Sequence, residues 1–196
     1  MRTTLPLLTT GMAELPSLLP SESHLLLDAS TLEHFLSEVE GAPPDWATVY
    51  GHGHHDPDHD DRLFNLNRER DARRDGKPAL QWLITFAWAG ELSRYDNLAG
   101  GFHVAMGPTF IPTSWGVVRF KAEDPPSNLV AVPEAPLRET LLAQLERHQP
   151  IDILVLMTGH LIPQESIVYD FSHEEEGVGL IMPVLRLEQL DYVMIR

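Results

Sequence analysis

The chain has 196 residues, of which 14 are Lys or Arg and 29 are Asp or Glu, so its formal net charge is −15 with neutral histidines. Cysteine is absent, which excludes a disulfide scaffold, an iron–sulfur cluster, a thiolate nucleophile and any cysteine-ligated zinc. The length and the 43% hydrophobic content predict a single folded domain over residues 1–196, and the negative charge disfavours nucleic acid and anionic membranes as partners.

The N-terminal quarter is predicted to contain an extended segment, a strand and a helix. Residues 1–20 hold three prolines and show no hydrophobic period, which is typical of an extended lead-in. A short apolar run at 24–28 predicts a buried strand. In the helix that follows, Ser30 and Glu33 form a capping box, and Gly41 ends the helix.

A strand and a second helix are predicted next. The strand covers 46–50, a segment rich in aromatic and β-branched residues. The helix is predicted to begin at Pro57, which fits the first helical position, and Asp56 fits the capping position before it. It ends before Gly76, and its arginine-rich second half is expected to face water because few apolar residues lie there.

From residue 81 onward the pattern is mostly that of β-strands. Apolar runs separated by turn residues predict strands at 81–89, 102–106, 115–121, 129–132, 151–157, 166–171, 178–187 and 192–195. One further helix is predicted to start near Pro136 and to stop before Pro150. Because the strands cluster instead of alternating with helices, the predicted fold is α+β, with about three helices and a mostly antiparallel sheet forming a curled sheet or partial barrel.

The most unusual segment is a stretch rich in histidine and aspartate that precedes the second predicted helix. Four of the ten histidines lie in this stretch, His52, His54, His55 and His59, together with Asp56. Imidazole nitrogens and carboxylate oxygens are ligands for zinc, iron, nickel and manganese. If the preceding strand continues, His52 and His54 point to the same face. A remote residue such as His103, His160 or His173 would then complete a site for a divalent transition metal.

Two other interpretations of this stretch stay open. Exposed imidazoles can bind metal weakly and adventitiously. A plain solvated loop is the other alternative, because helix capping and the helix dipole already account for the aspartates. A calcium-binding EF-hand loop is excluded, since Asp61 and Asn67 occupy positions that require glycine and glutamate.

The net charge leads to a second functional hypothesis. A small acidic protein without a recognised catalytic motif fits a non-enzymatic interaction module, of the antitoxin or immunity kind, that binds a basic protein or small molecule. The metal hypothesis ranks first because it rests on named donor atoms. Neither hypothesis specifies a reaction, and the sequence leaves open whether the protein is an enzyme.

The localisation expected from the sequence is cytoplasmic. The most apolar stretches, 82–89 and 151–157, have the length of strands and are too short to span a bilayer. The N-terminal apolar stretch is interrupted by Pro6 and Gly11, which is unlike the unbroken core of a secretory signal.

Overall fold

The fold is built on a large β-sheet, and the computed structural model describes residues 3–53 and 55–196. Its strands are β1 (Thr3–Thr10), β2 (His24–Leu25), β3 (Ile84–Asp96), β4 (Gly101–Gly107), β5 (Ile111–Thr113), β6 (Gly116–Val118), β7 (Lys121–Ala122), β8 (Leu129–Val132), β9 (Asp152–Leu161), β10 (Ile167–Phe171) and β11 (Gly179–Ile195). Its helices are α1 (Ala29–Glu40), α2 (Trp46–Tyr50), α3 (His59–Arg74) and α4 (Ala135–Glu146), with 3₁₀ helices at Met12–Leu18 and Pro78–Gln81. Among the described helices, none combines the length and apolarity needed to cross a membrane.

Six strands close into a barrel in the order β1–β8–β4–β3–β9–β11, and β11 pairs back onto β1. The prediction of an α+β fold dominated by its sheet is confirmed. The expectation of a mostly antiparallel sheet is wrong, because β1 is parallel to both of its neighbours and the sheet is therefore mixed. The segment expected to be only an extended lead-in thus supplies the strand that closes the barrel.

The barrel interior is filled by side chains. Alternate residues of a strand point to opposite faces, and the inward positions carry large apolar groups such as Phe86, Trp88, Phe102, Met157 and Tyr192, all of them buried. Burial raises the pKa of Tyr192 to about 12. The barrel is therefore a packed core and not a channel.

One strand, β11, extends beyond the barrel. Its first part pairs with β10 and β6 in a smaller sheet, and its second part pairs with β9 and β1 in the barrel. The sequence predicted two strands here, 178–187 and 192–195. The structure has one strand of 17 residues, because the polar stretch between them is absorbed by a bulge between Leu187 and Gln189.

Helix starts differ from the prediction at three places. Helix α3 begins at His59 after Asp58, and not at Pro57 after Asp56. Asp28, not Ser30, caps α1, and Thr31 completes its capping box in place of Glu33. The strand predicted at 46–50 is wrong, since this segment forms α2. The Asp45 carboxylate accepts hydrogen bonds from the Thr48 amide at 3.2 Å and from the Thr48 hydroxyl at 2.6 Å, which starts the helix.

Most residues in the second half of α3 are exposed, as expected, but Arg70 and Arg74 are buried. The Arg74 side chain is 4% exposed, and it forms an ion pair with Glu40 of α1, whose side chain is 1% exposed. Arg74 also donates to the Ile167 carbonyl of β10 at 2.9 Å. Arg70 lies 3.6 Å from the same Glu40 carboxylate. One carboxylate thus joins α1 to α3, and Arg74 joins α3 to the sheet.

We expect Glu40→Gln to lower the free energy of unfolding by about 3 kcal/mol, because it leaves two buried guanidinium groups without their shared counter-charge. Urea denaturation at pH 7 measures the change. Glu69→Gln is the matched control, since the Glu69–Arg73 pair is 65% and 71% exposed and should contribute less than about 1 kcal/mol. Equal effects of the two substitutions would contradict the role of Glu40.

Candidate functional site

The histidine-rich loop begins where α2 ends. Gly51 and Gly53 both adopt positive φ angles, 60° and 84°, which favour glycine. At Gly51 space is limiting as well, because an added Cβ would lie 2.3 Å from the Arg62 guanidinium and 2.4 Å from the Asp56 carboxylate. The first glycine therefore allows the loop to turn tightly over these two side chains.

Asp56 anchors the loop. Its carboxylate accepts hydrogen bonds from Arg62 Nη2 at 2.7 Å, from the Asp58 amide at 3.0 Å and from the His52 amide at 3.2 Å. The hydrogen bond from Arg62, followed by those from the two amides, holds the pKa of Asp56 well below its usual range. Arg62 also donates to the Val49 carbonyl at 3.0 Å. Asp56 is thus engaged in holding α2, the loop and α3 together.

The loop packs on the turn that connects β10 to β11. The His59 ring stacks on Phe171 with a centroid distance of 4.8 Å, and Tyr50 lies 4.5 Å from the same ring. Tyr50 Oη donates to the Val178 carbonyl at 2.5 Å and accepts from the Ser172 amide at 3.3 Å. Burial, and secondarily the charges of nearby acidic residues, raise the pKa of Tyr50. These contacts fix the loop against the turn.

Two acidic segments, 51–61 and 170–177, meet at this contact, and we name the surface formed by their described residues, 51–53, 55–61 and 170–177, the histidine–acid face. Each segment carries four carboxylates, and neither contains a lysine or arginine. Glu176 Oε1 lies 3.2 Å from the position that a Cβ on Gly53 would occupy, which places a glutamate directly against the loop. Six of the carboxylates belong to exposed residues, namely Asp58, Asp60, Asp61, Glu174, Glu175 and Glu176. Sequence reasoning offered His173 of the second segment as one of three remote donors, but it did not predict that the acids of the two segments meet, because more than one hundred residues separate them.

The predicted metal ligands of the loop occupy different environments. His52 and His55 are exposed, whereas the His59 ring is partly buried against Phe171. His54 lies outside the described residues. His52 and His54 were expected to share one face of a continuing strand, but the preceding segment is the helix α2.

The remote ligand predicted from the sequence, His103, lies on the barrel strand β4. Its Nε2 is 3.5 Å from Asp96 and 3.3 Å from Arg94, both on the adjacent strand β3. Over residues 3–53 and 55–196, no group of three or more histidines and acids is arranged to hold a metal ion. The six-residue site therefore stays a prediction.

A second polar site is a groove of about 600 Å³ between the 75–81 segment, the end of β9 and the middle of β11. His160 Nδ1 lies 2.5 Å from Glu188 Oε1 on its wall. Ser166 also lines the groove, but its hydroxyl donates to the Ile162 carbonyl at 2.8 Å. Because this hydroxyl is not directed at His160, the groove does not present an activated serine nucleophile.

Comparison with protein-family models, with curated proteins and with solved structures gave no significant match. The function must therefore be argued from the geometry of these surfaces.

We expect Asp56→Asn to lower the unfolding temperature at pH 7, because the variant loses the ionised partner of Arg62. Since the folded-state pKa of Asp56 is depressed, its contribution is present above the ordinary aspartate pKa of about 4 and is lost as the pH falls through the folded-state value. The difference between wild type and variant should therefore shrink in acid. Thermal unfolding measured from pH 7 down to pH 3 tests this.

Asp60→Asn is the matched control, since Asp60 has a side chain that is 83% exposed and lies four residues away. A difference that stays constant with pH for Asp56→Asn, or an equal effect of the control, would contradict the anchoring role.

Proposed function

We propose that this protein binds a basic segment of a partner protein through its histidine–acid face. The observation that carries the proposal is the meeting of two segments with four carboxylates each and no lysine or arginine. Concentrated charge of one sign raises the local potential and attracts groups of opposite sign. A lysine- or arginine-rich segment meets this requirement.

The disposition of nearby arginines supports the proposal. Arg62, which follows the first segment, is neutralised by Asp56. Arg70 and Arg74, further along α3, point inward to Glu40. Three of the five arginines of α3 are therefore engaged within the protein, whereas Arg68 and Arg73, both outside the face, stay exposed. The exposed carboxylates of the face keep their charge available to a partner.

We expect a fluorescent octalysine peptide to bind the protein with an affinity that falls steeply as salt rises. Combined Glu174→Gln, Glu175→Gln and Glu176→Gln should weaken binding about tenfold at low salt, if each exposed charge contributes about 0.5 kcal/mol. Fluorescence anisotropy between low and physiological ionic strength gives both quantities.

The control for this experiment changes the net charge equally at exposed acids elsewhere, by combining Glu22→Gln, Glu139→Gln and Glu146→Gln. This variant should retain most of the binding. If both triple variants weaken the peptide equally, binding reflects the overall charge of the protein, and the proposed face is wrong.

A second candidate function is the binding of a divalent transition metal, such as zinc, iron, nickel or manganese, on the same face. The observation in its favour is the Glu176 carboxylate against Gly53, which lies close in the chain to the exposed His52 and His55. Imidazole and carboxylate form a suitable ligand set. Exposed side chains must turn to meet around the ion, so we expect weaker binding than at a preformed site.

For the metal candidate, we expect zinc titrated into tag-free protein to bind with a stoichiometry near one, measured by isothermal titration calorimetry. His52→Ala with His55→Ala should weaken binding by at least about tenfold. The control combines His34→Ala with His148→Ala, two exposed histidines elsewhere. Equal losses in the two double variants would assign the metal to scattered surface histidines.

A further inference from the structure

A groove runs along the edge of β1 at the far end of β11 from the histidine–acid face. Its volume is about 630 Å³, within the range of ligand-binding sites. Its apolar wall includes Leu7, Leu8, Leu18, Leu137 and Ile195. The consecutive residues 7, 8 and 9 all line it, although alternate residues of a strand face opposite sides. The groove therefore follows the edge of the strand and not one of its faces.

The backbone of β1 changes partner along its length. It pairs with β8 over Thr3–Pro6 and with β11 over Leu7–Thr10. The Thr3 amide donates to the Asn128 carbonyl at 3.2 Å, which shows that odd-numbered residues direct their backbone groups toward β8. The Thr10 carbonyl accepts from the Arg196 amide at 3.0 Å, so even-numbered residues face β11.

This alternation directs the N–H and C=O of Thr9 to the side of β8. There, however, β8 has already ended at Val132 and the chain has turned into α4. The backbone groups of Thr9 therefore face the groove. An open strand edge of this kind is a template for pairing with another extended chain.

We propose that the groove binds an extended peptide segment of a partner protein, which adds as a strand to the open edge of β1. The backbone groups of Thr9 select an extended chain, and the aliphatic wall takes apolar side chains at alternate positions. Glu134 follows the end of β8, where Val132 is in register with Pro6, and Arg196 follows the end of β11, where Ile195 is in register with Thr10. The two charges therefore lie at different positions along β1. Charge complementarity therefore favours a peptide whose two ends carry opposite charges.

The test uses capped, fluorescent heptapeptides of alternating valine and threonine. One peptide begins with lysine and ends with glutamate, and a second has these charges exchanged. Two further peptides carry proline at the central position of the first and of the second. We expect one order of charges to bind more tightly, and proline to weaken binding by at least about tenfold, because it removes a strand hydrogen bond. If the proline peptides bind as tightly as the peptides without proline, or if neither charge order binds at about 1 mM, the proposal is overturned.

Two protein variants locate the binding. Leu137→Arg should weaken the tighter peptide by at least about tenfold, because it fills the apolar wall with a charged group. Phe64→Glu is the control, since Phe64 is an exposed apolar residue on α3 and lies outside the groove. Equal loss in both variants overturns the proposal.

Amide hydrogen exchange on the unsubstituted protein gives a readout that does not depend on a variant folding correctly. In the free protein the Thr9 amide should exchange faster than the amides of Leu8 and Thr10, and the peptide should slow Thr9 selectively. A Thr9 amide that is already protected in a monomeric protein overturns the proposal. If it is protected in a dimer that Leu137→Arg dissociates, the groove belongs to a second copy, and the peptide proposal is equally wrong.

Discussion

Both proposed binding surfaces depend on β11, the one strand shared by the barrel and the smaller sheet. At its start, Gly179 leaves room for Trp46, whose Cε2 would lie only 1.8 Å from a Cβ at this position. Trp46 Nε1 donates to the Trp115 carbonyl at 2.7 Å, which fixes α2 on the sheet. Because α2 is fixed there, the histidine-rich loop that follows has to emerge beside the β10–β11 turn. The other end of β11 forms one side of the groove at β1. A displacement of this strand would therefore alter both surfaces.

The buried charges of α3 explain how an acidic chain places its few cations. Removing a guanidinium from water is costly, and the cost is offset only when good partners are present. Arg74 has the Glu40 carboxylate and the Ile167 carbonyl, and Arg70 donates to the Ala42 carbonyl at 2.6 Å. These partners come from two separate parts of the chain, the end of α1 and β10, so the pairs favour one position of α3 over others. The same arrangement removes two positive charges from the surface and leaves the exposed carboxylates less compensated.

Local patterns predicted the elements whose form is decided locally. The strand at 129–132 has the predicted bounds, and α4 begins next to the proline that marked its start. At 46–50 the aromatic and β-branched residues resemble a strand, but the Asp45 cap and packing against the sheet select a helix. Pro6 made β1 resemble a linker. Its missing N–H is tolerated because even-numbered residues of β1 face β11, and pairing with β11 begins only at the next residue. Such a change of partner within one strand leaves no local signal.

The histidine-rich loop shows why donor atoms can be predicted when their arrangement cannot. Composition alone identified the segment and predicted Asp56 as a metal ligand together with the histidines. In the structure, however, the Asp56 carboxylate accepts hydrogen bonds from Arg62 and two backbone amides. The glutamate that approaches the loop belongs to a turn that is distant in sequence, and it is placed there by the hydrogen bonds of Tyr50. Net charge is equally ambiguous, because −15 describes the chain and not any one face. This surface is a candidate for recognition because tertiary contacts engage Arg62, Arg70 and Arg74 of α3 while six carboxylates of the two acidic segments stay exposed. This separation of charge arises only on folding.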